Sequence, residues 1–245
     1  MDIQPSKLAL LTGTTKGIGR ALLDELLEKN YFVLGIARSE APIQNENYRH
    51  IKADLADFNP AFLEKFLPKK EWEEALLVSN AGLIGDIKPV GEIDSTQIQK
   101  VIQVNLTSVM TFTNWFVNEF EKCEHAHVLT ISSGAGMRPI DAWSAYCASK
   151  AGVNLFKECL KEELTLREMK NWFVHTISPG VIDTDMQAQI RASNPNDFKV
   201  HERFMELKET DQLTSPKEVA RKLMKIISAP KNYADILIDL RNLED

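Results

Sequence analysis

The chain has 245 residues, a hydrophobic fraction of 44% and a formal net charge of −6 at pH 7. This length and apolar content suit one globular α/β domain with a sizeable core. The acidic balance argues against nucleic-acid and anionic-membrane partners, because both require a surplus of lysine and arginine. No apolar run approaches the ~18 residues of a membrane-spanning helix.

Cysteine usage and the N-terminal residues bear on the compartment. Cys123, Cys147 and Cys159 are too few and too scattered for a disulfide framework, and they show no metal-ligand spacing. The first five residues contain no basic region followed by an apolar core, so they do not resemble a secretory signal. His125 and His127 are expected in a solvated turn before a strand. These features favour a reducing, cytoplasmic location and predict no metal site.

Strand and helix patterns alternate along the chain. Apolar runs predict strands at Lys7–Thr12, Tyr31–Ala37, Tyr48–Ala53, Ala75–Ser79, Ala126–Ser132, Trp172–Ser178 and Asp235–Asp239. Helical spacing predicts helices at Gly17–Lys29, Ala61–Leu67, Ser95–Glu121 and Ala145–Arg167. A further helix begins with the Ser215-Pro216-Lys217-Glu218 capping signal and runs to about Ser228. The polar stretch Val181–Gln212 is expected to hold one or two short helices.

This alternation predicts a parallel sheet with helices on both faces. Nearly continuous apolar strands support it, since both faces of such strands are covered. We therefore expect a single-domain α/β Rossmann fold over residues 1–245, with a doubly wound parallel sheet of about seven strands.

A glycine-rich loop, TGTTKGIG from Thr12 to Gly19, lies between the first strand and the first helix. Glycines allow a tight turn and close approach of the backbone to a pyrophosphate, and the helix N-terminus offers N–H groups to phosphates. The spacing is G-x-x-x-G-x-G, and an ordinary glycine-rich turn is the alternative. The cofactor-binding residues expected here are Gly13, Thr15, Lys16, Gly17, Ile18 and Gly19.

Further motifs follow in a consistent order, and with them the sequence resembles the short-chain dehydrogenase/reductase family over nearly its whole length. They are Asp54-Leu55, Asn80-Ala81-Gly82, Asn105, Ser133, Tyr146-Cys147-Ala148-Ser149-Lys150, Pro179-Gly180 and Thr184. The resemblance implies a nicotinamide cofactor held by Asp54, Leu55, Asn80, Ala81, Gly82, Tyr146, Lys150, Pro179, Gly180, Val181 and Thr184. It also implies a homodimer or homotetramer and a lid at about residues 181–214, here called the lid segment.

Tyr146 and Lys150 are four residues apart and share a helix face. Lowering a tyrosine pKa by ~3 units requires ~4 kcal/mol, which a positive charge ~4 Å away supplies at an effective dielectric of ~20. Lys150 is therefore expected to lower the pKa of Tyr146. By itself such a pair is more often a surface contact. The family resemblance implies that Tyr146 is the proton donor and that Lys150 also binds the nicotinamide ribose.

The resemblance also implies two further catalytic residues. Ser133, thirteen residues before Tyr146, would hold the substrate carbonyl through its hydroxyl; Ser132 is the competing, structural serine. Asn105 would interrupt its helix locally and hold a water that relays protons to Lys150. The alternative for Asn105 is a buried amide satisfied by the backbone.

The end of the second predicted strand bears on cofactor choice. NAD-dependent enzymes place an acidic residue there to bind the ribose hydroxyls, whereas this chain has Ala37, followed by Arg38 and Ser39. Arg38 and Lys16 resemble the basic residues of NADP-preferring members. Two charge-assisted hydrogen bonds at ~1.5–3 kcal/mol each would favour NADP(H) by two or more orders of magnitude. A solvated Lys16 is the alternative, and nearby Glu40 would oppose the preference.

Residues 35–42 (GIARSEAP), 183–187 (DTDMQ) and 203–213 resemble the branch of the family that contains sepiapterin reductase and the benzil reductases. Sepiapterin reductases anchor the pterin with an acidic residue near the C-terminus, whereas Asp239 is expected inside the last strand. The resemblance is therefore greater to the benzil reductases. An apolar substrate wall suits an aryl or alkyl ketone; it is expected to comprise Trp143, Met186, Ala135, Met137, Ile140 and Ile190.

The sequence thus predicts an NADPH-dependent reductase of a small-molecule ketone or vicinal diketone, which yields a hydroxyketone. A pterin-type reductase is the nearest alternative, and the direction of the reaction is open. Sugar-nucleotide epimerases share Tyr-x-x-x-Lys but are usually longer. A non-catalytic NADP-sensing protein on this fold typically lacks the tyrosine or the lysine, and this chain has both.

Overall fold

The computed structural model describes residues 5–243 and contains a parallel seven-stranded sheet. The strand order is β3-β2-β1-β4-β5-β6-β7. Because β1 pairs with both β2 and β4, the chain changes direction across the sheet at β1, and ligands bind at such a switch point. The strands are β1 Lys7–Thr12, β2 Tyr31–Ala37, β3 Tyr48–Lys52, β4 Glu74–Ser79, β5 His125–Ile131, β6 Trp172–Ser178 and β7 Leu237–Asp239.

Helices cover both faces of this sheet. They are α1 Gly17–Glu28, α2 Ser95–Ile102, α3 Ser108–Glu119, α4 Ser144–Leu166, α5 Asp185–Arg191, α6 His201–Glu209 and α7 Pro216–Ser228. The Ser215 hydroxyl accepts a hydrogen bond from the Glu218 backbone N–H, so α7 begins with the predicted cap. A π turn, Gln103–Thr107, separates α2 from α3.

Alternate strand residues pack into two core layers. Ala9 and Leu11 of β1 face α1 and α7, whereas Leu8 and Leu10 face the layer of α3 and α4. A third, smaller apolar cluster joins the start of α4 to the lid segment; it contains Trp143, Tyr146, Ile190, Phe198 and Phe204. This cluster lies over the carboxyl ends of the strands and is the part of the core closest to the functional site.

The predicted fold class and element order are confirmed. Several element boundaries differ from the sequence predictions by one or two residues, and two of the predicted helices differ in kind. The helix expected at Ala61–Leu67 is a 3-10 turn at Pro60–Lys65, begun by the Asn59 side chain, which accepts a hydrogen bond from the backbone N–H of Ala61. The helix expected at Ser95–Glu121 is interrupted by the π turn, and β3 ends at Lys52. Residues 1–4, most of the stretch considered as a signal, and residues 244–245 lie outside the described residues.

The prediction of a solvated turn at His125 and His127 is wrong. His125 begins β5, and His127 is buried in the sheet, where its Nε2 lies 2.7 Å from Nδ1 of His175 on β6. Nε2 of His175 in turn lies 3.0 Å from the carbonyl oxygen of Tyr233. Nothing in the local pattern around these residues indicates a pairing between neighbouring strands.

The histidine pair makes stability depend on pH. Burial lowers the pKa of His127 well below its usual value near 6.5, and burial together with Lys161 lowers that of His175. As the pH falls below about 6.5 the unfolded chain therefore binds protons that the folded chain resists, and stability is lost. We expect the free energy of unfolding to fall from pH 7 to pH 5 by up to about 2 kcal/mol per histidine, as measured by urea denaturation.

His127→Gln should remove a substantial part of this dependence, and His125→Gln, at the exposed start of the same strand, should leave it intact. Equal slopes in the wild type and His127→Gln would show that the buried pair does not cause the loss.

Candidate active site

A cleft of about 510 Å³ opens at the carboxyl ends of β1, β2, β4, β5 and β6. It reaches from Arg38 and Ser39 after β2 to Trp143 and to Met186 of the lid segment. The predicted site residues line it except Gly19 and Asn105, which are buried, and Met137. The parallel sheet therefore brings together residues that are far apart in the sequence.

The glycine loop is held by Asn80, the first residue after β4. Its side-chain Nδ2 donates to the carbonyl oxygens of Thr12, at 2.9 Å, and Gly13, at 3.2 Å. A Cβ on Gly19 would lie 2.1 Å from the Gly13 oxygen, so this glycine lets α1 approach the loop. Gly13 and Gly17 have φ values of +78° and +52°, which favour glycine. The loop is thus shaped to bring its backbone close to a ligand.

Ser133, Tyr146 and Lys150 converge in the cleft. The Ser133 side chain lies close enough to the Tyr146 phenol to influence its pKa, and the Ser133 hydroxyl accepts the backbone N–H of Ala135 at 3.1 Å. The Lys150 ammonium donates to the carbonyl oxygen of Ile131 at 2.8 Å and lies 5.7 Å from the centre of the Tyr146 ring. Both Tyr146 and Lys150 are almost fully buried. This arrangement places an acid, a second hydroxyl and an amine at one end of the cleft.

Burial dominates the proton affinities of this group. It raises the pKa of Tyr146 to about 12, and the hydrogen bond from Ser133 opposes that rise. It lowers the pKa of Lys150 to about 8. The pKa of Tyr146 therefore shifts in the direction opposite to the one expected from Lys150. The Lys150 ammonium is bonded to the Ile131 carbonyl, and the removal of the phenol from water has the larger effect.

Asn105 lies in the π turn, so the helical ladder is interrupted where the sequence predicts. Its Oδ1 accepts the backbone N–H of Leu83 at 2.8 Å, and its Nδ2 donates to the Leu83 carbonyl at 2.7 Å and to Ser149 Oγ at 3.2 Å. The amide is thus satisfied by protein groups. A Cβ at Gly82 would lie within 4 Å of both Asn105 Oδ1 and Lys150 Nζ. Asn105 therefore links the strand-β4 loop to the helix that carries Lys150.

At the other end of the cleft, Arg38 and Ser39 are exposed. Arg38 has no hydrogen bond or ion pair within residues 5–243. Glu40, which was expected to oppose an anion here, is paired with Lys52. Lys16 also lines the cleft, but it already has a partner. Its ammonium lies 2.7 Å from a carboxylate oxygen of Asp185, at the start of α5.

The substrate end is aromatic. Trp143 is buried; its ring stacks on Phe198 at 5.3 Å and meets the Tyr146 ring edge-on at 5.7 Å. The expected wall residues Ala135, Ile140, Met186 and Ile190 also line the cleft. The prediction that Met137 belongs to this wall is wrong. The 3-10 turn before Met137 leaves the residue 68% exposed and outside the cleft.

Several lining residues were not identified from the sequence: Phe204, Gln187, Arg138 and Arg241. Phe204 falls in the stretch 203–213, whose family resemblance was the one signal that pointed to it. Arg241 follows β7, and its Nε donates to both carboxylate oxygens of Asp239, at 2.9 and 3.2 Å. The Arg241 Nη2 and backbone N–H donate to the same carboxylate. This pairing helps to hold the pKa of the Asp239 carboxyl below its usual range.

None of the helices described between residues 5 and 243 is long and apolar enough to cross a membrane. Over the same residues, no group of three or more histidine, cysteine, aspartate or glutamate side chains is arranged to bind a metal ion.

Comparisons with known proteins agree with this geometry. Residues 7–195 match the family model of short chain dehydrogenases. The chain is 35% identical over 234 residues to a benzil reductase ((S)-benzoin forming) of Bacillus cereus, which covers 90% of this chain and 94% of the relative. The benzil reductase of Bacillus subtilis is 33% identical over 227 residues, 90% of this chain and 93% of the relative.

Among solved structures, the short chain dehydrogenase/reductase YIR035C from Saccharomyces cerevisiae superposes with a TM-score of 0.80 at 26% identity, over 96% of each chain. By family match, relatives and fold, this chain belongs to the short-chain dehydrogenases, a family of oxidoreductases that use a nicotinamide cofactor.

Proposed function

We propose that this protein is an NADPH-dependent carbonyl reductase that converts one carbonyl of a vicinal diketone to a hydroxyl. The convergence of Ser133, Tyr146 and Lys150 at the apolar end of a dinucleotide-sized cleft carries the proposal. The similarity to bacterial benzil reductases supports the substrate class.

The residues of the cleft fit a nicotinamide dinucleotide. The glycine loop presents backbone at the N-terminus of α1, where phosphates bind favourably. Asp54, Leu55, the Asn80–Gly82 segment, Pro179–Val181 and Thr184 also line the cleft, and Thr184 lies against the glycine loop at Gly17. When bound, the cofactor supplies the hydride.

Side chains of the protein bind the substrate's carbonyl oxygen and protonate it. Ser133 donates a hydrogen bond to that oxygen, and Tyr146 gives it a proton as charge develops. A phenol whose pKa is raised to about 12 is fully protonated at neutral pH, which suits a proton donor in reduction. Lys150, with a pKa of about 8, is largely charged at pH 7 and stabilises the phenolate left behind.

Reprotonation of Tyr146 is assigned to Lys150 and, through a water, to Asn105. The position of Asn105 in a π turn and the approach of Asn105 and Lys150 to Gly82 support this relay. A merely structural Asn105 is the alternative, because its amide is already satisfied by Leu83 and Ser149.

The choice of NADPH rests on the residues after β2. Ala37 leaves no carboxylate to repel a 2′-phosphate, and Arg38 is unpaired among the described residues and exposed at that end of the cleft. A planar guanidinium is well suited to bind a phosphate.

The apolar end of the cleft favours a diketone over a pterin. Asp239 is bonded through both carboxylate oxygens to Arg241, so it is not free to anchor a polar ring. Trp143 and Phe204 offer aromatic surface to an aryl ketone.

We further propose that the protein is a cytoplasmic homodimer or homotetramer, and that residues 181–214 act as its lid. The free cysteines support the cytoplasmic location. The exposed apolar side chains of Ile98, Met110 and Leu155 on α2, α3 and α4 support the association into an oligomer. The packing of Phe204 against Trp143 supports the lid.

Tyr146→Phe removes the proton donor and keeps the ring. We expect kcat for diketone reduction to fall at least ~10²-fold, while NADPH binding, followed by its fluorescence, persists. Tyr233→Phe, far from the cleft lining, is the matched control and should retain activity. Near-normal turnover of Tyr146→Phe would contradict the assignment.

Arg38→Ala should weaken NADPH binding by roughly 10- to 150-fold, the equivalent of one charge-assisted hydrogen bond. NADH binding should change little, because NADH has no 2′-phosphate. Dissociation constants for both cofactors test this, with Arg49→Ala on β3, outside the cleft, as control. Equal losses for the two cofactors would show that Arg38 does not read the phosphate.

Benzil should be reduced at one carbonyl only. The second carbonyl withdraws electrons and makes the first a better hydride acceptor, and this activation disappears once one carbonyl is reduced. Trp143→Ala should raise KM for benzil more than for butanedione, with Trp143→Phe intermediate, as followed by NADPH absorbance. A protein that ignores every diketone but reduces a pterin well would contradict the substrate class and leave the reductase chemistry standing.

A further inference from the structure

One ion pair joins the glycine loop to the lid segment. The Lys16 ammonium lies 2.7 Å from Asp185 Oδ2, and the two residues are 169 positions apart in the sequence. The two segments touch here independently of the charges, since a Cβ at Gly17 would lie 3.1 Å from Thr184 Cγ2. Both Lys16 and Asp185 line the cofactor cleft. The pair therefore sits where a bound dinucleotide and the start of α5 meet.

We propose that Asp185 sets how strongly the protein discriminates NADPH from NADH, because it holds Lys16 away from the 2′-phosphate. The inference rests on the proposed NADPH dependence. A lysine ammonium is a single charge on a flexible stem, so it can reach either anion by rotation of that stem. While Lys16 is paired with Asp185, its ammonium can bind a 2′-phosphate only if the phosphate displaces the carboxylate.

NADH has no 2′-phosphate and leaves the pair intact. Arg38, unpaired within residues 5–243, binds the 2′-phosphate without such competition. Lys16 binds it only when the contact with Asp185 is broken. Asp185 acts through Lys16 and is thus a positioning residue. Its effect is modest, because both side chains are more than 70% exposed and exposed pairs are weakened by solvent.

The chain offers a matched control for this contact. Asp183 Oδ2 lies 2.7 Å from the ammonium of Lys208 on α6, and those side chains are about 45% exposed. This second pair joins the same segment to another part of the lid rather than to the glycine loop. Loss of Asp183 therefore removes the same charge without freeing Lys16.

The test is the ratio of the NADPH and NADH dissociation constants, measured by cofactor fluorescence at low ionic strength. Asp185→Asn should tighten NADPH binding by about two- to fivefold relative to NADH binding. Asp183→Asn should leave the ratio of the two dissociation constants unchanged. In a Lys16→Met background, Asp185→Asn should bring no further gain, as expected for coupled residues. The gain should also shrink as salt is added.

A ratio unchanged in Asp185→Asn, or a gain that survives in the Lys16→Met background, overturns the inference and leaves the proposed function standing. A wild-type protein that binds the two cofactors equally overturns both the NADPH dependence and the inference.

Linkage gives a second readout that does not depend on affinity. If the 2′-phosphate displaces Asp185, then NADPH must destabilise the contact at the start of α5. The free energy of this effect equals the one by which Asp185 weakens NADPH binding. Amide hydrogen exchange over Asp185–Arg191 should be faster in the saturated NADPH complex than in the NADH complex. The difference should vanish in Asp185→Asn, and equal exchange in both wild-type complexes contradicts competition for Lys16.

Discussion

The hydrogen bonds of Asn80 to the end of β1 fix the geometry on which the rest of the site depends. Its amide holds the carbonyls of Thr12 and Gly13, and the Thr12 hydroxyl accepts the backbone N–H groups of Asn80 and Ala81. The ends of two neighbouring strands are thereby locked to each other. The small separation leaves room only for glycine at position 19, and this sets how closely α1 approaches the loop.

The same constraint extends to the catalytic helix. Three residues after Asn80, Leu83 bonds through both backbone groups to the Asn105 amide, and that amide also contacts Ser149, the neighbour of Lys150. The π turn around Asn105 is the local distortion that lets one side chain reach both partners. Hydrogen bonds and short stretches of backbone thus connect the glycine loop, through Leu83 and the buried Asn105 and Ser149, to the helix that carries Lys150.

The parts of this arrangement that depend on local sequence were predictable, and the parts that depend on tertiary contacts were not. Continuous apolar runs identified the strands, and the motifs that resemble the family pointed to Ser133, Tyr146 and Lys150. The sequence does not show that Lys16 meets Asp185 or that His127 meets His175, because each partner is distant in the chain. Met137 was misplaced since a single 3-10 turn decides which way its side chain points. The direction of the Tyr146 pKa shift was misjudged because burial, its largest cause, is a property of the whole fold.

The two ends of the cleft differ in chemistry, and the lid segment contacts both. At the adenosine end the neighbouring groups are charged and exposed: Arg38 is unpaired among the described residues, and Lys16 is held by Asp185 at the start of α5. At the other end, Phe204 of α6 packs against Trp143, and Gln187 Nε2 donates to the Phe204 carbonyl. Asp185 and Gln187 belong to the same short helix, so α5 contacts the glycine loop through one side chain and the aromatic cluster through the other. In the proposed reductase, cofactor choice and substrate enclosure would therefore depend on the position of this one helix.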